Sequence, residues 1–127
     1  MFEKLELIRM AQALASHSGA RMGVIARNVA HADTPGYKAQ DLPAFAKVFA
    51  ADEGAMRATR AGHLSASSDA ATLIPEQAPG RESPNGNTVS LEGEMVKSVE
   101  ARQSHEMALA IYRASSDVIR ASLGRPR

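Results

Sequence analysis

The sequence predicts a mainly α-helical protein whose long N- and C-terminal helices carry heptad patterns and pack as a coiled-coil-like pair. Two observations predict it. Apolar and small residues alternate at steps of three and four near both ends of the chain, and glycine and proline interrupt the region between them. We divide the chain into an N-terminal helix (1–32), a turn with the segment after it (33–50), a loop-rich middle (51–88) and a C-terminal helix (89–124).

The N-terminal helix contains a heptad-type seam with two glycines beside it. Gly19 and Gly23 each cost about 1 kcal/mol of helix stability relative to alanine. With Ala15 they form a smooth strip at four-residue spacing, which would let another backbone come close. We therefore expect helices that are marginal alone and fold fully against other subunits; an ordinary two-helix hairpin with a weak core is the alternative. The seam consists of Ile8, Ala11, Ala15, Ser18, Met22, Ile25, Val29 and Ala32.

This helix ends abruptly at Thr34-Pro35-Gly36-Tyr37. The residue before a proline is biased toward extended geometry. Proline fixes its own φ and glycine accepts a positive φ, so Pro35 and Gly36 fit the two central positions of a type II turn. A Pro-Gly pair is commonly no more than a helix stop, and the residues around it decide whether it has a further role.

The middle of the chain is predicted to be mostly loop, with room for short β-strands around Leu64 and Leu73-Ile74. The C-terminal helix has a second seam with the same alternation. Its first turn is acidic, which suits the helix dipole, and Gly124 and Pro126 mark its end. The acidic residues are Glu92 and Glu94, and the seam consists of Leu91, Met95, Ser98, Arg102, His105, Leu109, Tyr112, Ser116, Ile119 and Leu123.

The composition excludes several classes of function. Fifteen basic and fourteen acidic residues give a net charge of +1, so we expect no charge-driven nucleic-acid partner and no binding to membrane surfaces. The N-terminus lacks the apolar region of a Sec-type signal peptide, and no apolar run is long enough for membrane insertion. Cysteine is absent and aromatic residues make up only 4%, so disulfides are excluded and the core of a lone chain would be thin.

No motif for catalysis or cofactor binding is present. The nearest approach to a metal-binding pair is His31 with Asp33, and His17, His63 and His105 do not complete a known ligand spacing with them. We therefore expect no catalytic residues, no cofactor and no metal. A small metal-dependent hydrolase is correspondingly disfavoured.

Two stretches resemble a known family. ARNVAHADTPGYKAQDLPAF (Ala26–Phe45) resembles the signature of bacterial flagellar rod proteins, which typically reads A-N-N-I-A-N-A-x-T-P-G-Y-K. Arg27 and His31 stand where the family usually has asparagine. GNTVSLEGEM (Gly86–Met95) is similar to the segment that opens the C-terminal helix in the same family. The direct run into Tyr37, with no insertion before it, is most similar to the proximal rod members.

The resemblance implies a non-enzymatic structural subunit of the flagellar basal-body rod. Its partners would be copies of itself, other rod and basal-body proteins, and the flagellar export gate. Family members are exported unfolded by the type III system without a cleaved signal, which would place the chain in the rod that spans the periplasm. In the family this turn directs the chain outward from the packed helices. Tyr37 would then hold the chain at the point where it leaves the helix, with its ring buried and its hydroxyl at a solvent-exposed edge. Asn28 would bond exposed backbone or a neighbouring subunit. The signature residues implied in assembly are Asn28, Ala30, Asp33, Thr34, Pro35, Gly36 and Tyr37.

Phe45 and Phe49 resemble the short aromatic motif by which rod and hook subunits are recognised at the export gate. Aromatic residues four apart commonly pack on a helix face instead, so both interpretations stay open. The main alternative for the whole chain is a soluble two-helix adaptor or secretion chaperone that binds a partner helix in a groove. A chaperone would be expected to be acidic and stable alone, which the net charge and the small core do not favour.

Overall fold

The computed structural model describes residues 2–53 and 73–124. They form three helices and two short strands, in the order α1 (Phe2–Ala30), β1 (Gln40–Asp41), α2 (Phe45–Glu53), β2 (Glu76–Gln77) and α3 (Leu91–Ser122). The two long helices pack against each other, and the segments between them hold little regular structure. This confirms the predicted mainly helical fold with long terminal helices around a loop-rich middle. None of the described helices has a stretch that is both long and apolar enough to cross a bilayer.

Helix α3 begins and ends where its local chemistry dictates. The Ser90 side chain caps its first turn by accepting a hydrogen bond from the Gly93 backbone N–H at 3.3 Å. The predicted acidic residues occupy that turn. At the other end Gly124 has a φ of +81°, the left-handed conformation that glycine adopts after a helix. The predicted stop at Gly124 is confirmed, and Pro126 lies outside the described residues.

The two long helices run antiparallel and meet through small side chains. Asn28 near the end of α1 contacts Glu94 near the start of α3. Ala11, Ala101 and Ala108 are almost completely buried. Because these side chains are short, the two helix backbones approach closely and leave little space for larger residues between them.

The predicted seam of α1 coincides with buried residues at three positions, and His17, Val24 and Asn28 are buried outside it. Ala11, Ser18 and Ile25 are buried. At the last turn the buried position is Asn28, and the predicted Val29 is 43% exposed. The polar residue is inside because it has hydrogen-bond partners there, which are described below. Gly19 and Gly23 are exposed, and no atom of the described residues lies within 4 Å of where their side chains would begin.

The seam predicted for α3 does not coincide with its buried face. The buried residues of α3 are Glu94, Ala101 and Ala108, each one position before a predicted seam residue. A shift of one residue turns a helix face by about 100°. Met95 is therefore 66% exposed. The face that meets α1 is the one with alanines, because only small side chains fit the close contact. The exposed members of the predicted seam are Leu91, Met95, Arg102, Tyr112 and Leu123.

The two short strands differ from the predicted ones. Leu73 and Ile74 are irregular, and the short strand predicted around them lies two residues further on, as β2. It pairs antiparallel with β1, with Gln40 opposite Gln77 and Asp41 opposite Glu76. The sequence did not indicate β1, because a two-residue strand has no period to detect. The strand expected near Leu64 lies outside the described residues.

Candidate functional site

The end of α1, the turn after it, β1 and the start of α3 meet at one end of the helical hairpin. We call this region the junction, and it is built on the side chains of Asn28, Tyr37, Asn87 and Glu94. Three of the four are almost completely buried and Tyr37 is half-buried. Among the described residues, no buried polar side-chain atom lacks a hydrogen-bond partner. The junction is therefore a fully satisfied polar cluster.

The turn after α1 has the predicted geometry. Gly36 has a φ of +72°, and the Tyr37 N–H donates to the Thr34 carbonyl at 3.3 Å. Pro35 and Gly36 thus occupy the two central positions, as expected for a type II turn. Residues 33–36 are exposed.

Asn28 is 0% exposed and uses its whole hydrogen-bonding capacity. Its Nδ2 donates to the Gln40 carbonyl at 2.6 Å and to Glu94 Oε2 at 3.0 Å. Its Oδ1 accepts from the Gln40 N–H at 3.1 Å and from the Tyr37 hydroxyl at 3.3 Å. One amide on α1 therefore holds β1, the turn and α3 together.

Glu94 is a buried carboxylate with two partners. Its Oε2 accepts from Asn28, and its Oε1 accepts from Lys97 Nζ at 2.8 Å. Burial of a carboxylate is costly unless it is paired and hydrogen-bonded, and both conditions hold here. The sequence pattern gave Glu94 only the role of a favourable charge at a helix start. Its position opposite Asn28 was not foreseen.

Asn87 closes the other side of the junction. Its Nδ2 lies within 2.8–2.9 Å of the carbonyl oxygens of His31, Ala32 and Thr34. Its Oδ1 accepts from the Val89 N–H at 2.7 Å. These three residues lie in the turn that follows α1, where the His31 carbonyl also accepts from the Thr34 N–H and the Thr34 carbonyl from the Tyr37 N–H. Asn87 therefore ties the segment before α3 to that turn.

The loop that carries Asn87 packs directly on the turn after α1. The Gly36 N–H donates to the Asn85 carbonyl at 3.0 Å. Gly86 also has a positive φ, and a side chain there would begin 3.4 Å from the Gly36 Cα. The two stretches that carry the family resemblance, Ala26–Phe45 and Gly86–Met95, therefore come together in space. That similarity was the only sequence signal that pointed toward Asn87.

The Tyr37 hydroxyl does not lie where the family resemblance led us to expect it. The ring is half-buried and stacks on His31, with ring centroids 4.6 Å apart and an interplanar angle of 17°. The hydroxyl donates inward to Asn28 and does not lie at a wet edge. The reason is that the Asn28 Oδ1 offers a partner inside the junction. Of the remaining signature residues, Ala30 and Asp33 are exposed.

An ion-pair cluster lies beside the junction and fixes β1 to both long helices. Arg21 on α1 donates two hydrogen bonds to the Asp41 carboxylate, at 2.9 and 3.0 Å. The hydrogen bond with Asp41 raises the pKa of Arg21 against the opposing effect of burial. Burial alone would raise the pKa of Asp41, but the hydrogen bond and charge of Arg21 outweigh it and lower that pKa. Lys97 and Glu100 of α3 extend the cluster, at 3.7 Å from Asp41 and 3.8 Å from Arg21.

The candidate export residues lie away from the junction, on α2. The rings of Phe45 and Phe49 are 5.4 Å apart. Phe45 packs edge-on against His17 of α1, and the Arg9 guanidinium lies 5.8 Å from the Phe49 ring. His17 also donates from Nε2 to the Pro43 carbonyl at 2.8 Å. In the folded chain the aromatic pair thus holds α2 against α1.

Two of the histidines considered for metal binding, His17 and His31, have other contacts. His31 Nδ1 lies 3.2 Å from the Thr34 hydroxyl, and His63 lies outside the described residues. Across 2–53 and 73–124, no three His, Asp or Glu side chains are grouped closely enough to hold a metal ion.

The chain matches no family model and no curated protein.

We expect Asn28→Ala to lower the free energy of unfolding by about 2–3 kcal/mol, because it leaves buried partners in β1 and α3 unsatisfied. Asn28→Asp keeps the shape but removes both donors and faces Glu94 with a second carboxyl group, so it should destabilise as well. Urea denaturation followed by circular dichroism measures both changes. Gln12→Ala, at an exposed position of the same helix, is the control. If Asn28→Ala and Gln12→Ala were equally stable, Asn28 would not hold the junction.

The lowered pKa of Asp41 predicts how stability depends on pH. Its ion pair contributes fully above the ordinary pKa of aspartate, about 3.9, and the contribution is lost as the pH falls through the lower native pKa. Asp41→Asn should therefore be less stable than the native chain by about 1–2 kcal/mol at neutral pH, with the gap closing in strong acid. Denaturation at a series of pH values measures the gap.

Glu82→Gln is the matched control, since the pair of Glu82 with Lys38 is largely exposed. It should change stability by less than about 0.5 kcal/mol at any pH. A gap for Asp41→Asn that stayed constant down to strong acid would contradict the assigned ion pair.

Proposed function

We propose that this chain is a structural subunit of the bacterial flagellar basal-body rod that polymerises by helix packing between subunits. It most resembles the proximal rod protein FlgB. The observation that carries the proposal is the signature itself, together with its use in the fold. Asn28 and Tyr37 of the signature and Asn87 of the second similar stretch bond within one junction. The signature therefore has a physical task, which is to fix the path of the chain as it leaves α1.

The exposed apolar side chains of α3 support assembly. Large exposed apolar patches are typical of interaction surfaces. We propose that helices of neighbouring subunits cover them in heptad-type packing, including the seam residues that lie outside the hairpin contact. Heterologous contacts of this kind build open helical assemblies. The exposed side chains are Leu91, Met95, Val96, Val99, Met107, Tyr112, Val118 and Leu123.

The outer face of α1 also supports the proposed assembly. Within 2–53 and 73–124 nothing lies within 4 Å of the Cβ positions of Gly19 and Gly23, and we propose that a neighbouring helix packs against the backbone there. We propose copies of the chain and other rod and basal-body proteins as partners in the rod. We further propose that the chain reaches the rod through the flagellar export gate without a cleaved signal.

A two-helix adaptor or secretion chaperone is the alternative, and one observation favours it. The two long helices already pack on each other within one chain, and the junction between them needs no second subunit to satisfy its polar groups. A hairpin of this kind can present a groove to a partner helix. The two proposals predict different results for purified rods, because a rod subunit would be present in them and an adaptor would be absent.

We expect Val99→Glu to abolish swimming and to remove the chain from purified basal bodies, in which the native chain is present. Val99 is 66% exposed, so the substitution should leave monomer stability within about 0.5 kcal/mol of the native value. Immunodetection in basal bodies, soft-agar swimming and denaturation of the purified monomer measure these three effects.

Gln77→Glu adds the same charge at an exposed position of β2, outside α3, and should assemble normally. Native chain missing from basal bodies would favour the adaptor. Normal swimming of Val99→Glu would refute the proposed role of this face.

Substitution of the aromatic pair on α2 distinguishes a role in export from a role in packing. If Phe45 and Phe49 are an export signal, changing both to alanine should keep the chain in the cytoplasm, because an unfolded chain would lose its aromatic anchors. Fractionation of cells that export but cannot complete a rod measures the distribution.

His17→Ala is the matched control, because it removes the folded contact with Phe45 but leaves both aromatic residues in the unfolded chain. Secretion of His17→Ala with retention of the double variant would support the export role. Secretion of both would leave the pair with a packing role alone.

A further inference from the structure

Asn85 and Gly86 form an Asn-Gly pair in the loop that packs on the turn after α1, and Asn85 is exposed. In such a pair the backbone nitrogen of the second residue can attack the side-chain carbonyl carbon of the asparagine. Glycine has no side chain to hinder that approach. We infer that Asn85 is a site of spontaneous deamidation, which the folded junction holds back and an unfolded chain permits. The chemistry is the same whether or not the chain is a rod subunit.

The reaction needs only water and a solvent base. The Gly86 nitrogen gives its proton to the base and forms a bond to Asn85 Cγ. The bond between Cγ and Nδ2 breaks, Nδ2 takes up the proton from the protonated base and leaves as ammonia, and a five-membered succinimide remains. Water then opens the ring at either carbonyl. One product is aspartate, and the other is isoaspartate, in which the main chain runs through the former side chain.

The folded loop engages both reacting groups elsewhere. The Gly86 N–H donates to the Ser83 carbonyl at 2.8 Å. The Asn85 side-chain oxygen accepts from the Asn87 N–H at 3.1 Å. The Asn85 carbonyl is held by the Gly36 N–H. Attack therefore requires the loop to open locally and release these bonds, so the reaction should follow the open population of the junction.

Isoaspartate would disrupt the junction, because it adds one carbon to the main chain at a point where the surrounding backbone leaves no room for it. Gly86 lies against the Gly36 backbone, and even a Cβ there would have to fit at 3.4 Å. The next residue is Asn87, whose amide contacts carbonyls of the turn after α1. A longer backbone at Asn85 would displace that amide.

The test compares deamidation in the whole native chain with that in the chain unfolded in guanidinium, at the same mildly alkaline pH. Trypsin releases the peptide Glu82–Lys97, which contains both Asn85 and Asn87. Mass spectrometry should find a gain of about one dalton at Asn85. Deamidation should be about tenfold or more slower in the native chain than in the unfolded chain, because the hydrogen bonds of the loop must first open.

Asn87→Ala loosens the junction but leaves the Asn-Gly pair intact. Its rate in native buffer should rise toward the unfolded rate, while its rate in guanidinium should match that of the parent chain. Asn85→Gln should abolish the gain at that position. Equal rates for the native and unfolded parent chain, or a gain at Asn87 before Asn85, would overturn the inference.

Discussion

The position of every element around the junction depends on one buried amide. Asn28 is fully enclosed and forms four hydrogen bonds, to both backbone groups of Gln40, to Tyr37 and to Glu94. An unmatched buried donor or acceptor costs about 1–3 kcal/mol, so no partner can move away without a substantial loss. The amide therefore fixes the register of β1 and the approach of α3 at the same time.

The parts of the fold that local chemistry decides could be predicted from the sequence. Pro35 and Gly36 determine their own backbone angles, and the turn has the predicted form. Long helical periodicity identified α1 and α3, and Gly124 ends α3 as expected. The short strands could not be predicted in the same way, because their pairing is set by contacts between distant segments rather than by any pattern within them.

Only one of the two segments that form the junction could be predicted from the sequence. The stretch around Asn28 and Tyr37 was identified by its resemblance, but Asn87 is an asparagine in a loop rich in glycine and proline, where that residue ordinarily forms turns. Only the folded chain brings it to the turn after α1. The buried face of α3 was missed for a related reason. Met95 and its neighbours give the stronger periodic signal, whereas Ala101 and Ala108 meet the partner helix because they are small.

The division between small inner residues and large outer ones explains how the hairpin supports the proposed assembly. Two helices form a single layer, and a single layer buries only the narrow contact between its members. Here alanines fill that contact, so the hairpin is held together by close backbone approach and by the polar junction. Large apolar residues such as Val99 are left outside. In the proposed assembly a helix of a neighbouring subunit buries them, and the junction holds the two long helices in register for that contact.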